Sequence, residues 1–411
     1  MGSRRRAILS RGLAVALAAA AAVGALGAGG LAHGFHFGGV GECAGCHTMH
    51  NSLGGERMTV NDLPAGTANP YLLRGSDASS TCLVCHHTTA TTPQTYHVSS
   101  PRTGGPPMPS QMTPGGDFGW GAAGPSGQPP IYQRAHSIVA ADFGYGPDTT
   151  LTRAPGGTYS RDDLSCVSCH DPHGRYRHLP GTGEQALTGA PIRESGSYGA
   201  EPDAASAVGV YRLLGGVGYR PRAVAGELAF AGAAPVAVSP EDYNRAESES
   251  DTRVAYGLGM SEWCQNCHGL MHSDDYPGYP GNFRHPAGNH AKLGARIAAN
   301  YNRYDLRTGA VDADGSQAYT SLVPFERGTA DRAELLAATE STAGPTTGSE
   351  NVACVSCHRA HASAFADLGR WNFNAVLLTQ PGFFAKYYYD RPASYFGPFQ
   401  RSLCSKCHVR D

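Results

Sequence analysis

Every cysteine in this chain belongs to one pattern, Cys-x-x-Cys-His, which occurs six times. The copies are Cys43, Cys46, His47; Cys82, Cys85, His86; Cys166, Cys169, His170; Cys264, Cys267, His268; Cys354, Cys357, His358; and Cys404, Cys407, His408. They are numbered sites 1 to 6 in chain order. The pattern is the attachment signature of a c-type haem. Two thiols add to the porphyrin vinyl groups, and the adjacent imidazole becomes the first axial ligand of the iron. Zinc sites and disulfides also use paired cysteines, but neither requires a histidine directly after the second one. Histidine is 18 of 411 residues, so six such histidines in six motifs would arise by composition on the order of once in 10⁸. A zinc ribbon needs paired motifs at short spacing, and these begin 39 to 98 residues apart. The cofactor reading is six covalent haem c groups.

A hexacoordinate iron needs a second axial ligand. Twelve histidines remain after the six proximal ones, and methionines are few, so bis-histidine ligation is expected throughout, with low potentials and no vacant iron position. His50, His173 and His361 each follow a proximal histidine by three residues, in HTMH, HDPH and HRAH. On a helical turn such a pair shares a face, with Cβ atoms about 5–6 Å apart. The two rings cannot then grip opposite faces of one iron, so the second is expected to serve a different haem and draw two rings together. His97, His136 and His285 stand in the intervals between motifs and are expected as the other distal ligands. His272, four residues after His268, and His36 are alternates, and His87 is a weaker reserve. His33, His178 and His290 are read as structural or exposed.

The elements that position these residues should be slight. Gly and Pro together are 82 of 411 residues, and the hydrophobic share is 41%. That is poor material for a layered core, but haem faces can supply the core instead, and folding should then depend on the cofactor. The expected fold is a multihaem c-type cytochrome, loop-rich, with short helices and little strand, organised around a linear chain of six haems. Residues 101–130 and 180–235 read as loop. Helices are predicted at Asn289–Tyr304 and Ala330–Thr342. VDADGS at 311–316 resembles only the start of a calcium loop. Residues 1–34 read as a secretory signal, with Arg4, Arg5, Arg6 and Arg11 before an Ala-rich stretch and cleavage after Ala32 or Gly34. Residues 35–411 read as a single elongated hexahaem domain. Without its four signal arginines the chain carries 28 basic and 34 acidic residues, which gives no footprint for nucleic acid. No membrane span is expected after cleavage, and the export route runs through the periplasm.

Beyond the motifs, FHFGGVGECAGCHTMHNSLGG (35–55), QMTPGGDFGW (111–120), DTTLTRAPGGTY (148–159), SCHDPHGRYR (168–177), TRVAYGLGMSEWCQNCH (252–268), RHPAGN (284–289), SCHRAHAS (356–363) and the terminal CSKCH carry a resemblance across nearly the whole chain. Through them the sequence resembles the OmcS-like six-haem outer-surface cytochromes of metal-reducing bacteria, which polymerise into conducting filaments. The resemblance implies a helical homopolymer with a continuous haem chain whose neighbours alternate between parallel-stacked and T-shaped. It implies that His50 ligates the haem at Cys354 and Cys357 of an adjacent protomer, and it favours Phe35 as the mature N-terminus. His178, His290 and the segment 366–400 depart from the family pattern.

Two functions follow as expectations. The first is extracellular electron transfer: a secreted filament at the outer cell surface, taking electrons from other cell-surface cytochromes to external acceptors such as metal oxides, electrodes or other cells. The second is a monomeric periplasmic or cell-surface electron carrier. An enzyme is disfavoured, because catalysis at haem needs an open coordination position and histidine is in surplus.

Overall fold

A computed structural model describes residues 43–87, 97–100, 114–121, 133–173, 176–178, 185–187, 208–209, 211–221, 228–238, 254–272, 285–303, 323–339, 345, 348–363, 365–371, 373 and 404–408. The first, second, fourth and fifth motifs sit on α-helix: α1 (Cys43–Cys46), α2 (Ala78–His86), α3 (Met260–His268) and, after α4 (Gly294–Arg303) and α5 (Arg332–Thr339), α6 (Cys354–Cys357). The sixth forms α7 (Cys404–Cys407), and the third a 3₁₀ turn at Cys166–Ser168. A single helical turn suffices, because it sets both thiols and the following histidine on one side. Both predicted helices are present but shorter. The first begins at Gly294, because Lys292 is held in an extended bridge to Asn351. The second spans Arg332–Thr339, and residues 340–342 lie outside the described residues.

Among the described residues strand is scarce, as expected, yet one of two small sheets falls partly in the stretch read as loop. β1 (Tyr176–His178) pairs antiparallel with β2 (Gln185–Leu187) and β3 (Val208–Gly209). β4 (Val236–Val238) pairs antiparallel with β5 (Ala255–Leu258). The three residues of β4 are all buried: Val236 and Val238 pack with Leu335 of α5, and Ala237 with Tyr211 and Met260. A run apolar at every position, covered on both faces, lacks the alternation that identifies a strand in sequence. Among the described residues apolar side chains gather in three clusters, one of them centred on Tyr211, Leu214, Tyr256, Met260 and Val355. Two of them include motif residues, as with Leu83 within site 2 and Val355 within site 5. Among the described residues no helix is long and apolar enough to cross a membrane.

The two nine-residue motif helices start differently. Asp77 caps α2, accepting the Ser80 N–H. Gly259 precedes α3 and has no side chain to offer, so Glu326 accepts the Met260 N–H from a distant loop at 2.7 Å. Burial pushes the Glu326 carboxyl up from 4.5 to about 7; its bonds to the Met260 and Ser261 amides oppose this, and the charge of Glu262 adds to it. The folded chain therefore holds this proton more tightly than the unfolded chain. The resulting stabilisation is complete below about pH 4.5 and is lost as pH rises through 7. Glu326→Gln keeps an acceptor and removes the charge. It should flatten that decline and stabilise the protein at pH 8 by up to about 3 kcal/mol. Thermal melts of the haem-loaded protein at pH 5 and pH 8 would show this, and an unchanged difference between the two would contradict it.

Candidate haem-binding sites

Four of the six motif imidazoles are anchored through Nδ1. His47 donates to the Tyr71 carbonyl at 3.0 Å, His170 to Arg212 at 2.7 Å, His268 to Pro155 at 2.8 Å and His358 to Asp367 at 2.6 Å. Two of the distal candidates do the same: His136 donates to the Ala360 carbonyl at 2.6 Å and His285 to Pro286 at 2.9 Å. A proton fixed on Nδ1 leaves the Nε2 lone pair free for a metal, and the outer hydrogen bond holds the ring in place.

Three imidazole pairs face each other from distant parts of the chain. His170 of site 3 meets His361 at 6.2 Å between ring centres, His268 of site 4 meets His136 at 6.0 Å, and His408 of site 6 meets His285 at 6.1 Å. Two metal–nitrogen bonds of about 2 Å, plus the two ring radii, make a separation of about 6 Å. Burial holds His361 neutral down to about 3 and His136 to about 4, and the neutral ring is the form that can ligate. His361 lies against the site 3 histidine, although its own motif is site 5. The expected helical turn between paired histidines is absent. The chain leaves the helix at His358, with φ −113° and ψ 155°, so His361 is carried away in extended and bent backbone.

His50 and His173 are exposed, and neither side chain has a hydrogen bond or ring contact among the described residues. No imidazole faces His47 or His358 within that set. His97 stands beside site 2, its Nδ1 buried and without a partner, within electrostatic reach of His86 and bonded to the Cys85 carbonyl. His87 is engaged by the Ser99 hydroxyl at 2.8 Å. His33 and His36 lie outside the described residues, as do the side chains of His178 and His272; so does the 311–316 segment.

Sites 1, 3 and 5 share a cradle that the sequence reading missed. Each is closed by two consecutive residues in the left-handed region: Tyr71 and Leu72 (φ 59° and 59°), Arg212 and Leu213 (52° and 57°), and Asp367 and Leu368 (57° and 54°). Positive φ is costly for such side chains and marks an imposed geometry. The first carbonyl takes the histidine Nδ1–H. The second takes the next backbone N–H, from Thr48, Asp171 or Arg359. Two residues further on, Arg74, Gly215 and Arg370 donate their amides to the second-cysteine carbonyls of Cys46, Cys169 and Cys357. The faint repeat YLLRG (71–75) and YRLLGG (211–216) was the one signal available in sequence.

The motifs are strung in numerical order. The Cys46 thiol is within electrostatic reach of Cys85, Cys82 is in hydrogen-bond contact with Cys166, and Cys169 is within reach of Cys267. Cys264 is in contact with Cys354, and Cys357 is within reach of Cys404 and Cys407. The two contacting junctions share a lock. Ser79, three residues before Cys82, accepts the Cys166 N–H at 3.1 Å; Ser261, three residues before Cys264, accepts the Cys354 N–H at 2.9 Å. Close and wider junctions therefore alternate along the chain.

No protein-family model matches the sequence. The C-type cytochrome OmcS of Geobacter sulfurreducens is 46% identical over 444 residues, which span 98% of this chain and 100% of that one. Two solved structures share the fold, each covering 92% of this chain and 100% of its own. One is a cryo-EM structure of OmcS nanowires from Geobacter sulfurreducens, with TM-score 0.79 and 45% identity; the other is an Outer Membrane Cytochrome S filament from the same organism, with TM-score 0.79 and 44% identity. With identity of this order over nearly the whole of both chains, the chain belongs to the OmcS family of c-type cytochromes.

Proposed function

We propose that this protein carries electrons outside the cell along six covalent haem c groups, and that copies of it join end to end in a filament that continues the chain. The carrying observation is the serial order of the motifs, each pair of cysteines lying beside the next. The donor set fits the cofactor: thiols in pairs, imidazoles fixed through Nδ1, and facing rings at 6.0–6.2 Å. Bound at these sites, haem c supplies one-electron iron chemistry at low potential. The protein's part is to fix the ligands, exclude water and hold neighbouring sites close.

The distal ligands follow a two-site step. His361 belongs to the motif of site 5 and faces site 3. The same step gives His173, of the site 3 motif, to site 1. It sends His50, of the site 1 motif, to site 5 of the adjacent protomer, since no earlier odd site exists in its own chain. The even sites draw on histidines upstream of the preceding odd motif: His136 for site 4 and His285 for site 6. For site 2 the candidates are His97 and His36. The step favours His36, which lies just upstream of site 1, while the Cys85 carbonyl occupies His97. The alternation of close and wider junctions supports alternating haem geometry.

The domain reading goes with this: residues 1–34 as an export signal and 35–411 as one unit, delivered through the periplasm to the outer surface. Its partners are further copies of itself, other cell-surface cytochromes as donors, and extracellular metal acceptors. No bond rearrangement is assigned to it, because six bis-histidine irons leave no open position. Cryo-EM of the protein sheared from its native surface, with four-probe conductance of the same material, tests the reading. Conducting filaments of six-haem protomers are expected. A uniform species of the mass of one mature chain plus haems would replace the filament with the soluble carrier.

A further inference from the structure

The three cradles at sites 1, 3 and 5 are alike in backbone and differ in charge. The residue whose carbonyl grips the axial histidine is Tyr71 at site 1, Arg212 at site 3 and Asp367 at site 5. Its conformation is imposed by the turn, so its side chain leaves the backbone at the same point relative to the imidazole in all three. Resting on the haem reading above, we propose that the side chain at this position tunes the reduction potential of its own site: Arg212 raises site 3, Asp367 lowers site 5, and Tyr71 leaves site 1 without a contribution.

Adding one electron to a site lowers its charge by one, so a fixed positive charge nearby favours the reduced form and a negative charge the oxidised form. Arg212 is half-buried, and its guanidinium carbon lies 5.7 Å from the centre of the Tyr211 ring. Its backbone carbonyl holds the His170 ring at 2.7 Å, and the His361 ring centre lies 6.2 Å from that ring, so the charge is carried by the residue that adjoins the facing pair. Asp367 lies on an exposed turn, where solvent and salt screen it, so its effect should be the smaller. Arg74 and Arg370 stand three residues after the turn position and grip a different part of the site. Their guanidiniums bond the Gly45 and Val355 carbonyls within the Cys-x-x-Cys loops. They add charge at sites 1 and 5, so absolute potentials sum several groups, while the turn position sets the change a single substitution makes.

The test is spectroelectrochemical titration of the haem-loaded protein in four variants, with the electrode supplying one electron per site and no bond broken. Arg212→Gln should move one sixth of the haem absorbance to lower potential. At the original midpoint of that fraction the oxidised-to-reduced ratio should rise about tenfold, equivalent to about 59 mV for one electron. Arg212→Lys should restore most of it. Asp367→Asn, which keeps a residue tolerant of the left-handed turn, should move another sixth the opposite way by less. Tyr71→Phe should move nothing. Unchanged curves for Arg212→Gln with six haems still bound would overturn the proposal. So would shifts of the same sign for Arg212→Gln and Asp367→Asn, since those would report a backbone effect. A parent protein carrying fewer than six covalent haems would instead overturn the haem reading on which this rests.

Discussion

Replacing His50 with alanine is expected to leave six covalent haems on the chain and to abolish filaments. The imidazole is exposed and has no side-chain bond among the described residues. His358 of site 5 is oriented by the Asp367 carbonyl but faces no imidazole among those residues. The internal precedent is the seating of site 5's own second histidine on site 3. There His361 donates its N–H to Gly115, accepts the His136 N–H and places its ring opposite His170. The same device used between copies makes a heterologous contact, and such contacts give open fibres when the rotation does not close a ring. Around His50 the surface is apolar, with Met49 and Leu53 each 70% exposed and Tyr71 65% exposed, consistent with a face covered by a neighbour. Losing the ligand should raise the critical concentration for polymerisation by at least about a hundredfold, which corresponds to about 2.7 kcal/mol. Sedimentation would show monomers, and electron paramagnetic resonance would show one haem in six turned high-spin. Added imidazole should return that haem to low spin without restoring filaments. Filaments of normal length with every haem low-spin would sink the joint.

A second large effect is expected when the chain is made without haem attachment, either in a host lacking cytochrome c maturation or with all twelve cysteines replaced by serine. Such a chain should show no cooperative thermal transition and a coil-like far-ultraviolet spectrum. The helices at sites 1, 5 and 6 are four residues long, far below the length that is stable alone in water. The largest apolar cluster among the described residues has nine buried residues, five of them alanine or valine. The margin of a folded domain is only about 5–15 kcal/mol, and six large apolar rings outweigh it. The buried thiols point the same way. Burial pushes Cys267 up to about 11 and Cys357 to about 12, so both remain uncharged and apolar until they are bonded. A sharp melt in the haem-free chain would show that the polypeptide holds itself together.

Much of the site was legible before any fold was known, and the reason is local chemistry. Five contiguous residues carry both thiols and the adjacent imidazole, so membership among the c-type cytochromes requires no tertiary information. The scarcity of strand and the shortness of the helices also followed from the Gly and Pro content. The spacing argument for HRAH pointed away from its own motif on a mistaken premise. The pair was taken as a helical turn, but the chain turns extended at His358, and it is that departure which carries His361 to site 3.

The sequence alone determined the covalent chemistry, because a bond between a thiol and a vinyl group depends only on residues within reach of one another along a single turn. Tertiary structure alone decided which imidazole faces which: His136 with His268, His285 with His408, and His361 with His170. It also decided that three motif histidines, His47, His170 and His358, hang on left-handed turns. These are closures of long loops, and their outcome depends on how Gly115, Ala135 and Ala362 let distant backbones approach. Twelve candidate rings with similar neighbours give no local energy difference by which spacing could choose among them.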